Sequence, residues 1–140
     1  MPIVIRQADG GLGVIVTASG AVSEREYLDF YEAQLTAPAA AVLAHRYCLT
    51  DYTAVESVDI SAGAIAHVAA LTRKAARTAL PTVTAIVASQ DLIYGLTRMW
   101  QIQTSDEVPT ASVFRDLAEA KAWIRHQLEV NHGIGGVTFE

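Results

Sequence analysis

Side chains that could take part in chemistry gather where predicted strands end and helices begin. Asp51 ends a strand-forming run, Ser61 opens a helix, and Ser89 and Asp91 lie between the next strand and its helix. Because ligands of open parallel sheets bind beyond the carboxyl ends of the strands, these residues form a candidate rim. Capping of helix N-termini is the ordinary use of serine at such positions, and it is the first interpretation of Ser61 and Ser89.

Ser61 has a second interpretation, as a phosphorylation site. The N-terminus of a helix offers free N–H groups and the positive end of the helix dipole, and both stabilise a phosphate. The sequence therefore predicts that Ser61 could accept that charge without rearrangement.

The segment from Asp91 to Trp100 is the most unusual predicted surface. Helical spacing assigns three apolar residues to the core and leaves three others as extra apolar area. The core stripe is Leu92, Leu96 and Met99, and the extra area is Ile93, Tyr94 and Trp100. A broad core stripe and a partner surface explain this excess equally well, because aromatic residues and methionine are enriched in both.

Two further features of this segment favour a contact with a partner or a ligand. Tyr94 and Arg98 are one helical turn apart, so their side chains can stack. Gly95 inside a helix costs about 1 kcal/mol relative to alanine, which predicts close approach by another backbone or a ligand.

Catalysis has little support in the sequence. The chain shows no local nucleophile, base and orienting group, no P-loop and no dinucleotide fingerprint. Cys48 lies in the middle of a strand, where a buried and inert thiol is expected, and no Cys/His pair has the spacing of a zinc site. We therefore expect no metal and no cofactor, and an enzyme that uses rim carboxylates such as Asp51 and Asp91 is the least favoured interpretation.

Composition excludes several other classes. A net charge of -5 argues against nucleic-acid binding, which requires clustered basic residues. No apolar run approaches the roughly 20 residues needed to cross a bilayer, so membrane insertion is not expected. Cys48 is the single cysteine, which favours a reducing, cytoplasmic location.

The order of predicted elements is ββαβαβαβα. The chain opens with a hairpin turning at Asp9-Gly10-Gly11, and helix one begins at a Ser23/Glu26 capping box and ends by Pro38. Later strands are predicted at His45–Asp51, Val83–Ala88 and Ala111–Phe114, and the last helix starts after Asp116. Alternation of strands and helices predicts an α/β fold with a mixed five-stranded sheet, comprising the N-terminal hairpin and parallel βα units, and four helices.

Helix two is predicted from Ser61 to Leu80. It carries no charge from Ser61 to Thr72, and a helix that is apolar nearly all round should be covered on more than one side. Arg73 and Lys74 fall in its last turns, where cations complement the helix dipole.

The domain organisation follows from length and composition. A chain of 140 residues is the size of one domain, assigned to residues 1–130. Residues 131–140 are a Gly-rich C-terminal tail that is either loose or laid along another surface.

Several of these segments resemble the SpoIIAA-like proteins of the STAS/SEC14-type group. The resemblance covers roughly residues 47–128 and is strongest in Tyr94-Gly95-Leu96-x-Arg98-Met99 and in Phe114-Arg115-Asp116 with Ala120-x-x-Trp123. It implies a mixed sheet with packed helices, frequent dimerisation and no catalytic activity. Relatives in that group are phosphorylated in a motif similar to Asp-Ser-Ser-Gly, whereas this chain has Asp59-Ile60-Ser61-Ala62-Gly63, without the tandem serine.

Two functions are therefore expected ahead of catalysis. The first is a non-catalytic regulatory or protein-interaction module, homodimeric, with Tyr94 and Trp100 in the contact surface. The second, implied by the SEC14-like side of the resemblance, is a domain that binds a small apolar molecule or lipid in a cleft near Asp51, Tyr94 and Arg98.

Overall fold

A computed structural model describes residues 2–36 and 45–140. Within these ranges, five strands and four helices follow in the predicted order. The strands are β1 (Ile3–Ala8), β2 (Gly13–Ser23), β3 (Tyr47–Asp59), β4 (Val83–Val87) and β5 (Ala111–Phe114). The helices are α1 (Glu24–Thr36), α2 (Ala62–Ala76), α3 (Asp91–Gln103) and α4 (Leu117–His132). Pro38, the predicted end of helix one, lies outside the described residues.

The five strands form one mixed sheet in the order β1-β2-β3-β4-β5. β1 pairs antiparallel with β2 through a short 3-10 turn at Asp9–Gly11, and the other neighbouring strands pair in parallel. The predicted α/β class, with an opening hairpin and parallel βα units, is confirmed.

The strand order explains why the two faces of the sheet differ. Each parallel strand is added on the same side of its predecessor, and right-handed crossovers then place the connecting helices on one face. α1, α2 and α3 therefore cover one face, which we call the three-helix face. α4 follows the last strand and packs on the other, which we call the one-helix face.

Side-chain alternation along the strands divides the core into two clusters. On β3, Cys48 faces the three-helix cluster, whereas Tyr47 and Leu49 face the one-helix cluster. β4 is buried along its whole length, as predicted for a strand covered on both sides.

The prediction that the third strand stops at Asp51 is wrong. β3 continues to Asp59, and beyond Asp51 it pairs only with β2, because β4 ends at Val87 opposite Asp51. The segment after Asp51 is mostly polar and half exposed, so its hydrophobic pattern is too weak to predict a strand. Its backbone nevertheless pairs with β2.

Helix two is shorter than predicted, since α2 ends at Ala76. It is covered on more than one side, as predicted, because it contacts both α1 and α3 and packs against the core. Its remaining, exposed face carries mainly small residues, which leave little apolar area uncovered when they face water. Those residues are Ala62, Gly63, Ala66 and Ala70.

The C-terminal segment lies along the one-helix face. Val137 and Phe139 are buried beside Tyr47, and the rings of Tyr47 and Phe139 meet edge to face at 5.3 Å. Asp9 Oδ1 accepts hydrogen bonds from Thr138 N at 2.9 Å and Thr138 Oγ1 at 2.7 Å. Asp9 Oδ2 accepts from Tyr47 Oη at 2.5 Å and Phe139 N at 3.0 Å. The hairpin turn thus fastens the end of the chain.

None of the helices in the described ranges has both the length and the apolar character needed to span a membrane.

Candidate functional site: a hydroxyl-lined cavity

A cavity lies between the sheet and the helices of the three-helix face. Its floor is made by alternate residues of two neighbouring strands, which are Cys48, Thr50 and Tyr52 of β3 with Thr84 and Ile86 of β4. Residues at these positions share one face because side chains alternate along a strand. The floor of the cavity is therefore unusually rich in hydroxyl groups for a buried sheet.

All three helices contribute to the roof. The lining residues are Tyr27, Tyr31 and Leu35 of α1, Ile65, Val68 and Thr72 of α2, and Thr97 and Trp100 of α3. The cavity has a volume of about 50 Å³. A neighbouring cavity of about 30 Å³ shares four of its lining residues, which are Tyr27, Tyr52, Ile65 and Thr97.

Some of the lining hydroxyls are satisfied within the chain. Thr72 Oγ1 donates to Val68 O at 2.8 Å and accepts from Trp100 Nε1 at 3.3 Å. The Tyr31 and Tyr52 hydroxyls lie 2.5 Å apart and share one hydrogen bond. These contacts tie α3 to α2 and α1 to β3.

Thr84 differs from these residues because its buried Oγ1 has no hydrogen-bond partner within residues 2–36 and 45–140. The residue is 4% exposed and its side chain lines the cavity. An unsatisfied buried hydroxyl costs about 1–3 kcal/mol, which makes Thr84 a candidate contact for a molecule in the cavity.

The lining is neutral at physiological pH. Burial raises the pKa of Tyr52 to about 12 and holds the pKa of Tyr31 well above its ordinary value. Burial likewise raises the pKa of the Cys48 thiol to about 11, so the thiolate that would make it a nucleophile is disfavoured. The cavity offers neutral hydrogen-bonding groups and is suited to binding.

The predicted rim residues separate in the structure. Arg115 joins two of them, because its Nη1 donates to Asp91 Oδ1 at 2.6 Å and to Ser89 O at 3.3 Å. Its guanidinium also lies 4.1 Å from the centre of the Tyr94 ring. The predicted stacking of Arg98 on Tyr94 is wrong, since Arg98 Nη1 donates to Gln101 Oε1. Asp51 Oδ1 instead accepts from Thr53 N and Thr53 Oγ1.

The predicted cap of helix three is also wrong. Gln90 occupies the N-cap position without a capping side-chain bond, and its Nε2 donates to Val55 O at 2.7 Å, which ties the start of α3 to β3. Ser89 is exposed and contributes its carbonyl oxygen to Arg115.

The core stripe of α3 is broader than predicted. Leu96 and Met99 pack against the core as predicted, whereas Leu92 is 63% exposed. Ile93, 4% exposed, is part of the core, and Tyr94 and Trp100 pack against it. Most of the extra apolar area of this helix is therefore core, because α3 lies between α2 and β5.

Ser61 caps α2 as predicted, accepting a hydrogen bond from Ala64 N at 3.1 Å. Its own N–H donates to Glu24 Oε1 at 2.8 Å, and the hydrogen bonds from Ser61 lower the pKa of Glu24. A phosphate on Ser61 would lie beside this carboxylate, so Glu24 would have to move, contrary to the expectation of no rearrangement. Phosphorylation of Ser61 stays a prediction.

The cavity residues could have been found from alternation in two strands. Cys48, Thr50 and Tyr52 are polar or polarisable at every second position, as is Thr84 in the otherwise apolar run Val83–Val87. A polar residue in a strand buried on both sides is a signal, because such a group must find a partner. Only the fold shows that these side chains face the same cavity.

The described residues contain no cluster of three or more His, Cys, Asp or Glu side chains that could hold a metal ion.

Comparisons with known proteins give a likeness of fold. No protein-family model and no curated protein matches the chain. A crystal structure from Shewanella loihica PV-4, described as an uncharacterized protein from the DUF3478 family with a SpoIIAA-like fold, is similar to this chain with a TM-score of 0.49 and 19% sequence identity. The match covers 87% of this chain and 91% of that chain.

Proposed function

We propose that this protein is a non-catalytic regulatory or protein-interaction module that works as a homodimer through the outer face of α3. The observation that carries the proposal is an apolar stripe on this helix. Leu92 and Ile102 are 63% and 64% exposed, and Met99, which is partly buried against the core, lies between them on the same side of the helix.

Gly95 makes this stripe complementary to itself. A Cβ atom built at Gly95 would have nothing within 4 Å, so the glycine opens outward and does not serve packing inside the chain. If two copies of α3 cross antiparallel at the level of Thr97, Leu92 lies opposite Ile102 of the partner subunit, and Gly95 lies opposite Met99 of the partner subunit. A two-fold interface requires such self-complementarity.

A cytoplasmic location belongs to the same proposal, because the single cysteine, Cys48, is a buried free thiol. The two rim carboxylates favour a non-catalytic role, since Asp91 is paired with Arg115 and Asp51 is bonded to Thr53.

Sedimentation equilibrium of three proteins tests the dimer. We expect the wild type to be dimeric at micromolar concentration and Ile102→Asp to be monomeric, because the substitution places a charge in the apolar stripe. Val130→Asp is the matched control, since Val130 is 66% exposed on α4, and it should remain dimeric. A monomeric wild type, or an Ile102→Asp protein that still dimerises, would contradict the proposal.

Gly95→Ala should change two quantities in opposite directions: the stability of the subunit should rise, and the affinity of the dimer should fall. Alanine raises helix propensity by about 1 kcal/mol, so the subunit should become more stable to urea. The added methyl group fills the notch opposite the partner's Met99, so the dimer should be weaker and its dissociation constant should rise. A variant that gains stability without weakening the dimer would show that Gly95 is not at the interface.

A second candidate function is the binding of a small apolar molecule, and the hydroxyl-lined cavity favours it. Its position differs from the predicted cleft near Asp51, Tyr94 and Arg98, because Trp100 is the one residue of the predicted surface that lines the cavity.

A further inference from the structure

We infer that the hydroxyl-lined cavity binds a small neutral molecule whose polar end is a hydrogen-bond-accepting oxygen, such as a ketone, and whose apolar end lies toward the neighbouring cavity. The inference rests on the second candidate function and names the chemistry of its ligand. It is independent of the dimer.

Several lining hydroxyl groups carry a proton that has no oxygen acceptor among the described residues. Within them, Thr84 Oγ1 has no partner, and the contact of Thr50 Oγ1 is with the Cys48 sulfur at 3.8 Å. In the Tyr31–Tyr52 pair one hydroxyl donates to the other, which leaves the second phenol proton free. A ligand oxygen would satisfy such donors, and it could not be replaced by a purely apolar group without leaving them unpaired.

The same lining excludes charged ligands. No ionised side chain lines the cavity, and burial holds the pKa of Tyr31, Tyr52 and Cys48 above their ordinary values. A carboxylate, phosphate or ammonium group placed there would lose its hydration without gaining an opposite charge. The ligand must therefore be neutral.

The apolar end of the ligand has a defined direction. The neighbouring cavity is lined by aliphatic side chains such as Ile3, Val22 and Leu96, together with the four residues shared by both cavities. A chain extending from the Thr84 hydroxyl past Tyr52 would enter it. The volumes of about 50 Å³ and about 30 Å³ limit the ligand to a few non-hydrogen atoms, and affinities in the millimolar to micromolar range are expected.

2-Butanone and propanoate are a matched pair of probes, neutral and charged, with the same small number of non-hydrogen atoms. The ¹⁵N-labelled wild type is titrated with each, and the Thr84 amide and the Trp100 indole N–H are followed by NMR. We expect saturable shifts with 2-butanone and none with propanoate. Thr84→Val should bind the ketone about tenfold more weakly because it lacks the donor, and Thr84→Ser, which keeps a hydroxyl, should restore binding.

Xenon separates failure of this inference from failure of the ligand-binding function, because it enters apolar cavities without any hydrogen bond. If xenon binds and 2-butanone binds equally to wild type and Thr84→Val, the oxygen-acceptor inference is overturned while the cavity remains a binding site. If neither probe shifts the two signals, both are overturned. Binding of propanoate as tight as that of 2-butanone would also overturn the inference, because it would show that a charge is accepted.

Discussion

The two faces of the sheet are built from the same strands but have different cores. On the one-helix face, Tyr47, Leu49 and the apolar side of β4 pack against α4 and the C-terminal segment, with Ile124 and Leu128 fully buried. On the three-helix face, the same two strands present Cys48 and several hydroxyl groups to a cavity. A single α/β sheet thus separates a face that stabilises the fold from one with the features of a binding site.

This difference follows from topology and from alternation along the strands. Three helices that arrive from three crossovers must meet above the sheet, and the space where they converge is not filled by any one of them. One helix and a fastened segment can follow the opposite face closely, as the burial of Phe139 against Tyr47 shows.

The largest expected effect is on the one-helix face. Leu128→Ala should reduce the free energy of unfolding by about 2–5 kcal/mol, because it empties a fully buried site in a packed core. Leu35→Ala, at the edge of the cavity on the three-helix face, should cost less, since the space beside it already lacks close packing. Urea denaturation measures both, and an equal or greater loss for Leu35→Ala would contradict the distinction between the faces.

A smaller effect is expected where the C-terminal segment is fastened. Burial alone would raise the pKa of Asp9, but hydrogen bonds from Tyr47, Thr138 and Phe139 outweigh it and lower the pKa to about 2. Its ordinary value is 3.8, so this contribution is present above about pH 4 and is lost as the pH falls toward 2.

Asp9→Asn should therefore cost about 1–2 kcal/mol at neutral pH, a range that allows for solvent screening of this partly exposed group. It should also reduce the decline in stability between pH 4 and 2. Asp106→Asn, at an exposed position, is the control. Thermal unfolding at a series of pH values measures the effect, and equal behaviour of the two variants would show that Asp9 does not fasten the segment.

The smallest effect is expected in the cavity, where one substitution should increase the free energy of unfolding and not reduce it. Thr84→Val should raise the free energy of unfolding by about 1 kcal/mol, because it replaces an unsatisfied buried hydroxyl with a methyl group of similar size. Thr72→Val should lower it, since Thr72 both donates and accepts. Calorimetry of the two variants checks the signs, and destabilisation by Thr84→Val would indicate that its hydroxyl is already satisfied, for example by water.

Features set by local pattern were predictable from the sequence. The hairpin at Asp9–Gly11, the Ser23/Glu26 capping box, the strand Ala111–Phe114 and the caps at Ser61 and Asp116 all occur as predicted. Each depends on residues a few positions apart, whose turn, cap or alternation signals do not need the rest of the fold.

Features set by packing between distant elements were not predictable. The extension of β3 to Asp59 depends on a ladder with β2, and the buried stripe of α3 depends on where that helix lies. The partner of Tyr94 is Arg115, 21 positions along the chain, and not its helical neighbour Arg98. The cavity needs five elements to converge, so a polar residue such as Thr84 could be noticed in the sequence but not placed.

The two tryptophans lie on opposite faces of the sheet, so the wild-type sequence contains one spectroscopic probe for ligand binding on each face. Trp100 lines the cavity, and Trp123 packs at 5.5 Å from Phe114 beside the one-helix cluster. With 5-fluorotryptophan incorporated, each gives one ¹⁹F signal, assigned with Trp100→Phe and Trp123→Phe. Titration with 2-butanone should move the Trp100 signal saturably and leave the Trp123 signal in place. Movement of the Trp123 signal alone, or of both signals equally, would contradict the assignment of binding to the three-helix face.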